Sequence, residues 1–256
     1  MKKSAGDFLA MKGKQPIAML TAYTCPIARC LQNAGIDIIL VGDTWGMVEM
    51  GFPSTRQVTM EHMCEHIAAV RRGAPDAHII GDMPYRSDEN ADLALKNALR
   101  FLEAGADSVK LEGPKYQVIE HLVKSQIEVC GHTGLTPQTS ANFRQVGKSD
   151  QDAQRVLAEA RGLAEAGCFM VVLEHIPSRL GKEITQAISA PTIGIGAGPD
   201  CDGQVLVIND LLGMGDYWPP FSKQYLHLDK LIMEAARQYA KEVRERIYPT
   251  DRTDRK

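Results

Sequence analysis

Short apolar runs alternate along the chain with longer amphipathic stretches. One run, Ile38–Val41, contains only β-branched residues and Leu; it is too short for a buried helix and suits a parallel strand covered on both faces. Eight strands are predicted, at 16–21, 36–41, 77–82, 108–111, 128–131, 168–174, 191–195 and 203–207. Strands that alternate with helices indicate a parallel α/β fold.

Helices are predicted at 4–12, 25–34, 60–72, 89–103, 116–125, 151–166, 177–188 and 229–248. Thr59 is a candidate N-terminal cap, and Gly35, Gly105 and Gly167 follow predicted helix ends. The regular spacing and the length of 256 residues favour one closed (β/α)8 TIM barrel over 1–256, with an extra N-terminal helix. A doubly wound open sheet is the alternative.

Four of the predicted strands end in acidic residues, and this feature points to chemistry. Asp43, Asp82, Glu112 and Glu174 each stand at or just after the C-terminal end of an apolar run, and Thr44 follows Asp43. In a parallel barrel these ends converge on the face that carries active sites. One such acid is usually a helix cap or a solvated side chain, but four at the same topological position favour a site.

Three of these acids, Asp43, Asp82 and Glu112, suit a hard divalent cation, because Mg²⁺ takes oxygen ligands, usually including one or two carboxylates. Lys110 lies two residues before Glu112 and therefore shares its face of the strand. The intervening apolar residues suit the helix-facing side. Lys110 is thus predicted to point into the barrel, paired with acids and able to hold an anionic substrate.

Composition narrows the functional classes. A net charge of -3 and a pI of about 6.2 provide no basic footprint for nucleic acid. No apolar run approaches the roughly 18 residues of a membrane span, and the N-terminus lacks the apolar core of a signal peptide. The six cysteines form no Cys-x-x-Cys pair and are expected to be reduced thiols. The chain is therefore predicted to be cytoplasmic.

Weaker motifs have ordinary explanations. The glycines at 194–198 resemble a dinucleotide loop, but no helix pattern follows them directly. His62 and His66 have zinc-ligand spacing, yet a solvated helix face is expected because the His-Glu-x-x-His pattern is absent. His132 follows the fifth predicted strand, either near the site or satisfied by backbone. The polar stretch 132–150 is predicted to be a large surface loop.

Several segments together carry a resemblance to a known family. The short segments are Met-Leu-Thr-Ala-Tyr at 19–23, Val-Gly-Asp-Thr-Trp-Gly-Met at 41–47, Ala-Val-Arg-Arg-Gly-Ala at 69–74, Val-Lys-Leu-Glu-Gly at 109–113, Gly-Leu-Thr-Pro-Gln at 134–138 and Val-Leu-Glu at 172–174. The longest segment covers 191–207, and similarity extends over about 8–249. In these segments the chain resembles the ketopantoate hydroxymethyltransferase family.

The resemblance implies a (β/α)8 barrel that uses Mg²⁺ and joins 3-methyl-2-oxobutanoate to the one-carbon unit of 5,10-methylenetetrahydrofolate. It also implies a cytoplasmic homodecamer. By position, the implied metal ligands are Asp43, Asp82 and Glu112, the implied keto-acid contacts are Asp43, Thr44, Asp82 and Lys110, and the implied general base is Glu174.

The chain departs from the family pattern without losing a proposed ligand. Trp45 replaces a usual leucine and is expected to add bulk at the barrel mouth. Thr133 replaces a leucine and His175 a cysteine, and 142–146 has fewer glycines than the family pattern.

One rival function is a metal-dependent α-keto-acid lyase of the phosphoenolpyruvate mutase type, whose Lys-Lys-Cys-Gly-His-type segment is absent. Another is a non-catalytic binding protein, which has no need for four such acids.

Overall fold

The computed structural model describes residues 2–140, 142–215 and 217–249. The strands are β1 (Ile17–Thr21), β2 (Ile38–Val41), β3 (His78–Asp82), β4 (Ser108–Glu112), β5 (Val129–Gly134), β6 (Met170–Glu174), β7 (Thr192–Ile195) and β8 (Gly203–Leu206). The α-helices are α1 (Ala5–Met11), α2 (Cys25–Asn33), α3 (Trp45–Val48), α4 (Met60–Gly73), α5 (Ala91–Ala104), α6 (Tyr116–Lys124), α7 (Asp150–Glu165), α8 (Ser178–Ala187), α9 (Ile208–Leu212) and α10 (Leu228–Arg244).

The eight strands pair in chain order as a closed parallel barrel, and β8 returns to β1 with Gly203 opposite Ile17. The predicted (β/α)8 architecture is confirmed, and the open sheet is excluded. The chain divides into two compact units, Met1–Val207 with the barrel and Ile208–Lys256 with α9 and α10. The single domain over 1–256 stays a prediction.

The N-terminal end of the barrel interior is apolar and is closed by α1. Ile38, Ile80 and Met170 are fully buried in one cluster with Phe8 of α1. The Phe8 ring also packs edge-on against His78, with ring centroids 5.1 Å apart. Burying a phenylalanine side chain contributes about 1.5–3 kcal/mol. The predicted extra N-terminal helix therefore serves as the barrel's apolar plug.

The interior changes from apolar to polar towards the C-terminal ends of the strands. Successive side chains of a strand point to opposite faces, so residues two apart share the interior. On β3 the apolar Ile80 is followed by Asp82, and on β6 Val172 is followed by Glu174. This period of two brings the acids to the barrel mouth, as the sequence predicts.

Several element boundaries differ from the prediction. Strand β5 continues to Gly134, so His132 and Thr133 lie in the strand and not in a surface loop. The short helices α3 and α9 were not predicted, because four or five residues are too few to show helical periodicity. Helix α10 ends at Arg244, earlier than expected. Within the described residues, no helix combines the length and apolar character needed to span a membrane.

Candidate active site

The predicted site residues line one cavity at the C-terminal mouth of the barrel. The cavity measures about 50 Å³, room for a few water molecules at roughly 10–15 Å³ each. Its polar lining comprises Thr21, Asp43, Thr44, Asp82, Lys110, Glu112, His132 and Glu174. The six side chains predicted from the sequence as site residues thus line one cavity. Thr21 and His132 line the same cavity.

Lys110 and Asp82 form a buried ion pair inside the barrel. The Lys110 Nζ lies 2.7 Å from Asp82 Oδ1 and 2.9 Å from Oδ2. Residues Asp82 and Lys110 are direct neighbours across β3 and β4, which explains the pairing. Burial lowers the pKa of Lys110, but the charges of Asp82 and Asp43 outweigh it and raise that pKa above its ordinary value. Lys110 therefore carries a positive charge at neutral pH.

The other two buried acids, Asp43 and Glu112, have only partial compensation. Burial, followed by the charge of Asp82, raises the pKa of Asp43 well above its ordinary value. Burial also raises the pKa of Glu112. Gln138 donates hydrogen bonds to both acids, which opposes these shifts. The centre thus holds three buried carboxylates around the single ammonium of Lys110.

This centre fits a hard divalent cation. Its donors are carboxylate oxygens, the ligands that Mg²⁺ prefers, and its excess negative charge would be offset by a cation. Among the described residues, no three His, Cys, Asp or Glu side chains form a ready-made metal cage. Magnesium does not require such a cage, because water and substrate usually complete its coordination. Asp43, Asp82 and Glu112 therefore remain the proposed metal residues.

His132 lies between two acids of the cavity. Its Nε2 is 3.2 Å from Glu174 Oε2, and its Nδ1 is 3.8 Å from Glu112 Oε2. The His132 side chain is 1% exposed, whereas that of Glu174 is 19% exposed. Glu174 is therefore the accessible acid, and His132 lies beside it on the inner side. Within the described residues, neither ring nitrogen of His132 has a hydrogen-bond partner. Sequence reasoning left His132 undecided, and its position in β5 assigns it to the site.

Trp45 is buried away from the cavity. Its ring packs on His66, with centroids 4.2 Å apart, and it is absent from the described lining. Its ring therefore does not line this cavity, and the expected bulk at the barrel mouth stays a prediction. The two helix histidines are structural: His66 Nδ1 lies 2.8 Å from the Tyr23 carbonyl oxygen, and His62 Nδ1 accepts the Thr59 backbone N–H. Both are half-buried, so the helix face is not simply solvated.

Replacing Asp43 by Asn should stabilise the protein in a chelator at pH 7. An acid with a raised folded pKa is destabilising once ionised, and this penalty grows as pH rises above the unfolded pKa of about 3.9. The midpoint should rise by about 2–4 °C for each kcal/mol relieved. The variant should also lose the stabilisation that bound Mg²⁺ gives the unchanged chain. That stabilisation is about 2.7 kcal/mol when the Mg²⁺ concentration is a hundred times Kd.

Thermal unfolding with and without chelator, from pH 3 to pH 8, measures both effects. Asp76→Asn, at an exposed position, is the matched control and should change neither. A lower midpoint for Asp43→Asn in chelator at pH 7 would contradict the charge balance described for the centre.

Fold and site together define a (β/α)8 barrel with an acidic centre at its mouth. The family model described as ketopantoate hydroxymethyltransferase matches residues 2–251. A relative from Thermotoga neapolitana is 49% identical over 94% of this chain and 92% of its own length. A relative from Thermus thermophilus is 47% identical over 97% of this chain and 98% of its own length. Both are named 3-methyl-2-oxobutanoate hydroxymethyltransferase. The chain belongs to the ketopantoate hydroxymethyltransferase family, and the resemblance seen in its motifs is confirmed.

Solved structures show the same fold at low sequence identity. A phosphonopyruvate hydrolase in complex with oxalate and Mg²⁺ is 13% identical with a TM-score of 0.65, over 99% of this chain and 92% of the other. A 2,3-dimethylmalate lyase of the PEP mutase/isocitrate lyase superfamily is 14% identical with a TM-score of 0.63, over 100% and 89%.

Proposed function

We propose that this chain transfers a hydroxymethyl group from 5,10-methylenetetrahydrofolate to 3-methyl-2-oxobutanoate, forming ketopantoate for pantothenate synthesis. Family membership over nearly the whole chain supports this reaction. The observation that carries the proposal is the shared cavity, in which the accessible Glu174 faces the same space as Lys110 and the three buried acids. A base and a cationic anion-holding group are thus available to one bound keto acid.

Asp43 and Asp82 would hold Mg²⁺, with Glu112 contributing directly or through water. When bound, the ion would supply Lewis-acid polarisation of the keto acid. The buried carboxylate donors support this assignment. Lys110 and Thr44 line the same cavity and would contact the keto-acid substrate beside them.

Glu174 would act as the general base. Its carboxylate would accept the proton from the branched carbon next to the keto group, and the His132 ring lies beside it, with Nε2 3.2 Å from Oε2. The Lys110 ammonium would stabilise the negative charge that develops on the keto oxygen. Water would cleave the methylene carbon from both folate nitrogens, which releases tetrahydrofolate and leaves the carbon as formaldehyde. The enolate carbon would then form the new bond to that carbon, and its oxygen would take up a proton to become the hydroxyl group.

Incubation of the protein with Mg²⁺, 3-methyl-2-oxobutanoate and 5,10-methylenetetrahydrofolate tests the proposed reaction. Mass spectrometry should detect ketopantoate, and omission of either substrate should abolish it. Cleavage of 2,3-dimethylmalate without ketopantoate formation would favour the lyase alternative. Substrate binding with neither reaction would favour a binding protein.

We also propose that the chain assembles as a homodecamer. Helix α10 exposes a set of large apolar side chains, each 43–56% exposed: Leu231, Ile232, Met233, Tyr239 and Val243. Several large apolar side chains left exposed on one helix favour its burial against another chain. Light scattering after size exclusion should give ten times the chain mass of 28.1 kDa.

A cytoplasmic location is proposed as well, supported by six free cysteines.

A further inference from the structure

The segment after β5 turns back towards the acidic centre. Gly134 has φ of 99°, and an added Cβ would lie 2.3 Å from the Glu174 carbonyl oxygen, so a side chain at this position is excluded. The next residue, Leu135, donates its N–H to that same oxygen at 2.8 Å. This tight turn brings Gln138 into the barrel mouth, where it is 3% exposed.

Gln138 contacts two of the three buried acids. Its side-chain Nε2 donates to Asp43 Oδ2 at 2.9 Å and to the Met83 carbonyl oxygen at 2.9 Å, which uses both amide hydrogens. Its backbone N–H lies 3.1 Å from Glu112 Oε1 and 3.3 Å from Oε2. One neutral residue therefore orients carboxylates that come from two different strand ends.

Gln138 is itself held from the outer side. Arg56 Nε donates to its carbonyl oxygen at 2.7 Å, and the Arg56 guanidinium lies 5.2 Å from the centre of the Tyr85 ring. Among the described lining residues, the cavity has Pro137 but not Gln138. Gln138 therefore lies behind the acids and outside the cavity lining.

We propose that Gln138 is a positioning residue of the acidic centre: its amide determines which oxygen of Asp43 faces a bound cation, and its backbone N–H orients Glu112. This inference rests on the proposed metal site. Groups that orient metal ligands by hydrogen bonding change metal affinity by about 10- to 100-fold when they are removed. The second hydrogen bond, to the Met83 carbonyl oxygen, keeps the amide from rotating. Rotation would turn the amide oxygen, which cannot donate, towards the Asp43 carboxylate.

Gln138→Met tests the side-chain role, because it keeps the length and the backbone N–H and removes both donors. Binding of Mn²⁺, followed by electron paramagnetic resonance of the free ion, should weaken by about 10- to 100-fold. Gln154→Met, at an exposed position of α7, is the matched control and should bind Mn²⁺ like the unchanged protein. Circular dichroism establishes that each variant is folded.

A second comparison separates positioning from a general structural role. In an Asp43→Ala background Mn²⁺ binding is expected to be lost, so the comparison there is thermal unfolding in a chelator. Gln138→Met should lower the midpoint less in that background than in the unchanged protein, because its target carboxylate is gone. An equal fall in both backgrounds would overturn the proposal, as would Mn²⁺ affinity within twofold of normal for folded Gln138→Met. If that variant does not fold, Gln138→Ala replaces it, and the same limits apply. Absence of Mn²⁺ binding by the unchanged protein would overturn the metal site as well.

Discussion

Glu174→Gln should slow proton removal from 3-methyl-2-oxobutanoate by about 10²- to 10⁴-fold, the usual contribution of a general base. The amide keeps the size and shape of the carboxylate but cannot accept a proton. Glu174 is the accessible acid of the cavity, with a side chain 19% exposed, so the neutral amide can be solvated at this position. Folding and Mg²⁺ binding should therefore change little.

Exchange of the substrate proton in D₂O isolates this step from folate chemistry. Proton NMR of 3-methyl-2-oxobutanoate with protein and Mg²⁺ should show loss of the single signal on the branched carbon and collapse of the methyl doublet. A chelator should stop the exchange. Glu183→Gln, an exposed acid of α8, is the matched control and should exchange normally. Undiminished exchange in Glu174→Gln would move the base elsewhere, with His132 the next candidate.

Lys110→Met should lower the free energy of unfolding by about 3–5 kcal/mol in a chelator, because it removes one partner of a buried ion pair. Its ammonium lies 2.7 Å and 2.9 Å from the Asp82 oxygens, and both side chains are buried. Without it, three buried carboxylates would repel one another with no cation between them. The thermal midpoint should fall by roughly 10 °C, at about 2–4 °C for each kcal/mol.

Added Mg²⁺ should restore part of this loss, because a bound cation offsets the same negative charge. Differential scanning calorimetry with chelator and with Mg²⁺ gives the two midpoints. Lys124→Met, whose side chain is 76% exposed on α6, should change neither. A Lys110→Met midpoint equal to that of the unchanged chain in chelator would show that the acids do not depend on Lys110.

The charge pattern of the mouth has a direct consequence for ligand choice. Lys110 already forms an ion pair with Asp82, and the carboxylates of Asp43 and Glu112 give the centre more negative than positive charge. An anionic keto acid entering alone would meet net repulsion from Asp43 and Glu112. Binding of 3-methyl-2-oxobutanoate is therefore expected to be strongest when a divalent cation is present, which agrees with the fit of the donors to Mg²⁺.

Local patterns were sufficient for the alternation of strands and helices and for the placement of most candidate site residues at strand ends. Short apolar runs predict the strands, and the acids follow where those runs end. Because the C-terminal ends of parallel strands converge in a barrel, the carboxylates are predicted to meet at its mouth. The inward orientation of Lys110 follows from the period of two, with Val109 and Leu111 on the other face of β4. These features depend only on neighbours within a few residues.

Tertiary structure alone decided the closure of the sheet, the length of β5 and the roles of His132 and Gln138. Closure requires β8 to pair with β1, and the hydrogen bond from Gln138 to Asp43 joins residues 95 positions apart. A polar stretch with many turn-forming residues resembles a solvated loop in sequence. Gln138 within it is buried because the turn at Gly134 directs it onto carboxylates that need hydrogen-bond donors. Local periodicity in the sequence carries no information about such a distant partner.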